Sequence, residues 1–362
     1  MTQIEQSGRG LSGPDPLRRT AQALRDALLA ALFPIVAVAI ALAFGAVLLF
    51  ISGFNGWDVI NVMLLGVFQD LRSVSEVLLK AVPLILIGAG LCVAFRANMW
   101  NIGAEGQFYA GAVTATLVGT SFSGLDAWIY VPLVMLAGAL GGSLWAGIAG
   151  WLKVRFGASE IVTTIMMNYI ALIGTSWLVT GPMKDSKAAY PQSPRLFREA
   201  YIPDLIPGTR LHIGLAVALV LALVLYIYLY KSSAGYATRV VGINPNVARY
   251  AGMNAGRKML IAMCISGAMA GLAGAFEVAG VTHRLYQNIS PGYGFEGIAV
   301  ALLAVNNPLG AILSGTLFAV LRSGSELMQI TSQVPQVLVS VIQGVVILSV
   351  VSFAALKLRR NR

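Results

Sequence analysis

The sequence predicts an all-α, polytopic integral membrane protein, and three observations carry that prediction. Hydrophobic residues fill 57% of the 362 positions and charged residues only 11%, which is too little polar surface to coat a soluble globule of this size. The 15 acidic residues stand far apart and leave charge-free intervals at 27–57, 81–95, 106–125, 127–152, 161–183, 211–230, 259–276, 297–321 and 327–356. Most of these match the ~20 apolar residues that a helix needs to cross a hydrocarbon core about 30 Å thick. Backbone groups in lipid must also pair within their own segment, so the spans are expected to be helices.

The chain divides into an N-terminal segment 1–30, a membrane domain 31–356 and a basic tail 357–362. Arg9, Arg18, Arg19 and Arg25 precede the first span, and Lys357, Arg359, Arg360 and Arg362 follow the last. The positive-inside rule therefore places both termini in the cytoplasm and demands an even number of crossings. The first apolar run is too long for a signal-peptide core, and Glu5, Asp15 and Asp26 precede it, so it reads as an uncleaved anchor. Window length gives roughly eight full crossings.

With that parity the stretch 293–325 enters and leaves on one side. Its apolar run is interrupted by "AVNNPLG" at 304–310. Asparagine favours turns and proline disfavours helix in the residue before it, so a broken or re-entrant helix pair is expected there. Such breaks are tolerated inside protein or beside a water-filled cavity; a kinked helix or two full crossings are the alternatives.

The net charge of +10 does not point to nucleic acid, because the basic residues lie in loops and at both ends and form no dense stripe. Cys92 and Cys264 fall inside spans and read as small packed side chains. His212 and His283 stand alone near span ends. There is no metal-ligand spacing and no nucleophile and base pair, so neither a metal nor a catalytic site is expected. "GMNAGRK" at 252–258 looks faintly like a phosphate loop but has one residue too few between its glycines.

Packing is legible in two places. Gly138, Gly142, Ala146 and Gly150 recur every four residues, as do Gly267, Gly271 and Ala275. Small residues at that spacing let helices approach closely in lipid, although 39 glycines also produce such runs by chance.

The loop 231–258 carries Lys231, Arg239, Arg249, Arg257 and Lys258 and no acid, and parity makes it cytoplasmic. Within it Asn244 is placed to cap a short helix that starts at Pro245, runs through Asn246, Arg249 and Tyr250, and ends about two turns later at Gly252. A helix this short needs a partner surface, either protein or anionic lipid headgroups. The loop 184–210 falls outside by the same parity.

The stretch "MWNIGAEGQFYAG" at 99–111 places Asn101, Glu105 and Gln107 in an otherwise apolar region. A carboxylate buried in a bilayer requires a partner or water. Free N–H groups at the start of a broken helix are one such partner. Glu296 in "GYGFEGIAVALL" opens an apolar run in the same way, so "GAEG" and "GFEG" read as related helix starts.

Four ordered motifs, "MWNIGAEGQ", "FGASEIVTTIMMNYIA" (156–171), "VGINPNVARYAGMN" (241–254) and "SPGYGFEGIAVALLA" (290–304), resemble the permeases of ABC-type importers in the branched-chain amino acid and simple-sugar group, and most of all its nucleoside branch. The resemblance runs from about residue 60 to the C-terminus; residues 1–55 match nothing in it.

It implies a channel-forming subunit in a bacterial cytoplasmic membrane that binds no cofactor itself, with ATP hydrolysed by a cytoplasmic ABC ATPase. It further implies a second, different permease and an extracytoplasmic substrate-binding lipoprotein. The ATPase would grip Asn244, Pro245, Asn246, Arg249, Tyr250 and Gly252. Asn101, Glu105, Gln107, Asn168 and Glu296 would border the translocation path, their amides and carboxylates bonding the hydroxyls or base edge of a nucleoside; the acids capping helices and fixing packing is the other reading. Simple sugars or branched-chain amino acids as cargo, an ion-coupled secondary transporter and a self-sufficient channel remain as alternatives.

Overall fold

The computed structural model describes residues 43–47, 49–55, 61, 65–332 and several positions between 335 and 349. Expectations for segment 1–30, for most of the intervals 27–57 and 327–356, and for the tail 357–362 therefore lie outside the described residues.

Among the described residues the regular structure is helical, with two isolated β-bridges in place of any strand. The helices are α1 (Leu71–Arg96), α2 (Ala104–Gly119), α3 (Ala127–Phe156), α4 (Glu160–Thr180) and α5 (Gly214–Lys231). They continue with α6 (Ser233–Ile243), α7 (Pro245–Tyr250), α8 (Ala255–Phe276), α9 (Tyr293–Leu303) and α10 (Pro308–Ser332). Residues Glu277–Thr282 extend α8 as a π-helical turn.

Among the described residues five helices are long and apolar enough to cross a membrane: α1, α3, α4, α5 and α8 with its π-turn. The all-α, polytopic architecture expected from the sequence is therefore what the chain forms. α2 has 16 residues and α9 only 11, so neither spans alone.

α1 and α8 form the centre. From Ala81 to Ala94 every residue of α1 is buried, as suits a helix hydrophobic on all sides and enclosed by protein. α3, α4 and α5 instead turn large apolar side chains outward, including Trp128, Leu144, Ile173 and Val220, the pattern of helices that face lipid. The small-residue stripes meet as expected. A Cβ on Gly142 would lie 2.6 Å from the Gly271 Cα, and one on Gly271 would collide with the Gly138 carbonyl. Gly111 of α2 reaches the same point, since a Cβ there would overlap the Gly271 backbone. Three helices thus converge where none has a side chain, and dispersion between backbones holds them.

The loops 231–258 and 184–210 lie at opposite ends of the bundle. At one end, α6 and α7 lie beside the end of α1 and the start of α8, where Val241, Ala248 and Ala255 form a small apolar cluster. At the other, residues 182–213 lie across the π-turn and the end of α2: Phe197 N donates to Gly119 O at 3.0 Å and Ile202 N to Ala279 O at 3.2 Å. Read as a loop, 231–258 is in fact mostly helix. Gly235 and Gly242 depress the helical character of α6 in the sequence; both are there for close contact, with Leu229 and Arg96 respectively.

Replacing Gly271 with Val puts side-chain atoms into the triple contact. We expect a loss of about 1–3 kcal/mol, seen as a lower thermal transition and reduced monodisperse yield of the detergent-purified protein.

Candidate functional site

The site is built from two interrupted helices. After α1 ends, residues 97–103 fold back into the protein, with Ala97, Met99, Asn101 and Gly103 buried, so α2 begins deep in the bundle. α9 likewise begins inside, after Ser290 and Gly292. Gly292 adopts φ +103°, a conformation favourable to glycine alone, and this turns the chain sharply into the helix. Each buried helix start exposes free N–H groups that a bilayer interior cannot satisfy.

Polar side chains supply the missing partners. Glu105, in the first turn of α2, accepts a hydrogen bond from Gly294 N in the first turn of α9 at 2.7 Å. Its carboxylate therefore sits at the positive end of the α9 dipole. Ser290 Oγ accepts from Gly292 N and Tyr293 N, each at 3.2 Å. Asn168 of α4 accepts from Gly106 N at 2.8 Å and donates to Ile102 O at 2.9 Å. Asn101 and Gln107 pair through their amides at 2.8 and 2.9 Å, and Asn101 also bonds Ser266 Oγ at 2.9 Å and accepts from Gly103 N at 3.0 Å.

The two helix starts read as related, "GAEG" and "GFEG", face each other directly. A Cβ on Gly294 would lie 2.5 Å from the Glu105 Cα, so glycine is required for this approach. Glu296 turns the other way. Its Oε1 pairs with Arg322 Nη1 of α10 at 2.5 Å, while its Oε2 is buried without a hydrogen-bond partner. Arg322 also donates to Pro291 O at 3.2 Å and stacks 5.0 Å from the Tyr293 ring centroid. One turn further along α10, Glu326 pairs with Lys80 of α1. The break at 304–307 lies where "AVNNPLG" places it, with Val305 at φ +53°, Asn306 at φ +54° and Pro308 opening α10.

At the other end, α7 starts at Pro245 as the sequence indicates. Asn244 Oδ1 accepts from Asn246 N at 2.9 Å and Val247 N at 3.3 Å. Gly252 follows the helix at φ +76°. Ala248 is buried against α6 and α8, whereas Tyr250 is 93% exposed. α7 thus offers an outward face anchored on protein from behind.

The model of the family described as branched-chain amino acid transport system / permease component matches residues 73–351. The chain belongs to this family. It is 36% identical to the guanosine ABC transporter permease protein NupP of Bacillus subtilis, over 90% of this chain and 94% of that protein. It is also 36% identical to the glucose ABC transporter permease protein TsgB13 of Haloferax volcanii, over 88% and 86% of the two chains. The nucleoside ABC transporter permease protein NupB of Lactococcus lactis is 30% identical over 87% and 89%. No solved structure matches the chain.

Within this multi-pass permease, the five polar residues read from the sequence fall into two groups. Asn101, Glu105, Gln107 and Asn168 surround one helix start, and their bonds go to each other, to Ser266 and to backbone. Glu296 lies nearby but on the far side of the α9 start, toward α10. Arg96, nine residues before Glu105 in the chain, bonds the opposite end of α9: its Nε donates to Asn306 O and its Nη2 to Val305 O, both at 3.1 Å. Arg322 is absent from the residues singled out by sequence, and its signal there is a lone arginine that ends the apolar interval 297–321.

Asn168→Ala removes both an acceptor and a donor, leaving Gly106 N–H and Ile102 C=O unpaired. We expect a cost of about 1–3 kcal/mol, measured as a fall in thermal unfolding temperature. Glu105→Gln keeps an acceptor oxygen for Gly294 and is expected to cost less than Glu105→Ala in the same measurement.

Proposed function

We propose that this chain is a membrane-spanning permease subunit of an ATP-driven nucleoside importer in the bacterial cytoplasmic membrane. The observation that carries the reading is the outward face of α7, a protein-backed helix with a side-chain cap at Asn244 and a wholly exposed Tyr250, in a chain 36% identical to a guanosine ABC transporter permease. In this reading a cytoplasmic ABC ATPase grips α7 through Asn244, Pro245, Asn246, Arg249, Tyr250 and Gly252. The chain itself binds no cofactor, and ATP is consumed by that partner.

The path residues act by two means. Glu296, with a free carboxylate oxygen beside Arg322, borders the path and bonds a hydroxyl or base edge of the cargo. Asn101, Glu105, Gln107 and Asn168 hold the helix starts that shape its wall. A second, different permease completes the path, and an extracytoplasmic lipoprotein delivers substrate to the end where residues 182–213 lie. Both chain termini are cytoplasmic.

The equal identity to a glucose permease supports a sugar as the second reading of the cargo, since ribose and glucose offer the same hydroxyl chemistry.

The test is uptake of labelled guanosine, glucose and leucine into vesicles holding the complete importer. Guanosine accumulation that requires ATP is expected. Uptake by this chain alone would overturn the reading, and preferential glucose uptake would select the second one. Tyr250→Ala is expected to weaken ATPase binding about tenfold, roughly 1.4 kcal/mol for loss of an exposed aromatic anchor, with the thermal stability of the isolated permease unchanged.

A further inference from the structure

Arg96 stands at the junction of three elements. Its backbone carbonyl is packed against Gly242 of α6 so closely that a Cβ on residue 242 would overlap it. Its guanidinium donates to Val305 O and Asn306 O at the end of α9. The same guanidinium lies 5.9 Å from the ring centroid of Tyr230 in α5. Among the described residues it has no carboxylate partner; its bonds go to backbone oxygens of the α9–α10 break.

That use of an arginine is specific. The planar fork of a guanidinium addresses two acceptors at once with little loss of freedom. Here the two are consecutive carbonyls of residues in the left-handed region, one of them the β-branched Val305, a conformation that needs outside support. A cation also favours the negative end of a helix dipole. α9 therefore has the acceptor carboxyl of Glu105 at its start and a cation at its end, Arg96. With 11 residues it is a stiff rod about 16 Å long. A displacement of its Arg96 end reaches the other end, where Gly294 meets Glu105 and Glu296 meets Arg322.

We propose that Arg96 is a positioning residue that links the ATPase-facing helices α6 and α7 to the half-helix α9, and through it to the buried carboxylates at the start of α9. This rests on the importer reading above. α6 bears on Arg96 through Gly242, Arg96 holds the end of α9, and the rod conveys the shift. Arg96 touches no substrate; it sets where α9 stands when the ATPase moves α7.

The experiment uses the complete importer in vesicles and reads ATP hydrolysis and guanosine uptake on the same preparation, for the parent, Arg96→Gln, Arg96→Lys and Gly242→Ala. For Arg96→Gln, hydrolysis is expected to stay within about twofold while uptake falls about tenfold or more, the scale of losing charge-assisted hydrogen bonds. Arg96→Lys, which keeps the charge but not the fork, is expected to fall between that variant and the parent. Gly242→Ala leaves Arg96 intact and forces α6 away from it; the same loss of uptake per ATP is expected, which keeps the proposal testable should Arg96→Gln fail to assemble.

Parental uptake per ATP in Arg96→Gln or in Gly242→Ala would overturn the link. Equal falls of hydrolysis and uptake in all three variants would also overturn it, since they would mark a structural role only. Parental uptake that needs no ATPase would instead sink the importer reading.

Discussion

A helix that starts inside a bilayer must find partners for its first N–H groups within the protein, and the rest of this structure is arranged around that constraint. Two helices, α2 and α9, begin there; α2 supplies part of the solution for α9, and α4 supplies part of it for α2. Glu105 in the first turn of α2 receives the Gly294 N–H of α9, and Asn168 from α4 receives the Gly106 N–H of α2. Water would satisfy such groups at a surface. In lipid each unpaired one costs several kcal/mol, so the polar residues of this region are a condition of folding.

The glycine contacts follow from the same geometry. α2 and α9 are short and bury little surface, so they must approach their neighbours closely to gain enough dispersion energy. Gly111, Gly142 and Gly271 bring α2, α3 and α8 to backbone contact, and Gly294 does the same for α9 against α2. The central helix α1 is enclosed by the others, which leaves α3, α4 and α5 to face outward with their large apolar side chains. The result is a rigid frame that carries a stiff half-helix with a charged group at each end.

The exposed helix and the buried charges are separated along that axis. One end presents α7, backed by Ala248 on its neighbours and exposing Tyr250. The other holds Glu296, Arg322, Glu326 and Lys80, a chain of opposite charges shared among α1, α9 and α10. In the reading proposed above, for a member of the permease family, this separation sets the helix proposed for docking apart from the carboxylate proposed to meet cargo.

Much of this was legible in the residues. Charge-free intervals located the long helices, "AVNNPLG" located the break, Asn244, Pro245 and Gly252 bounded α7, and the small-residue stripes identified the helices in contact. Each is a local signal, read from period, capping or turn chemistry within a few residues. The sequence also marked Glu105 and Glu296 as carboxylates in need of partners, and suggested that a helix start was one such partner.

Which partners they have was decided by the tertiary structure alone. Glu105 meets a helix start 189 residues away, Arg96 meets the break at 305–306 instead of the nearer Glu105, and Glu296 meets Arg322. Composition and spacing determine that a buried charge must be neutralised and a buried helix end capped. They do not determine by which group, because in a packed bundle that choice belongs to whichever helix the fold brings within 3 Å, and that depends on every contact at once.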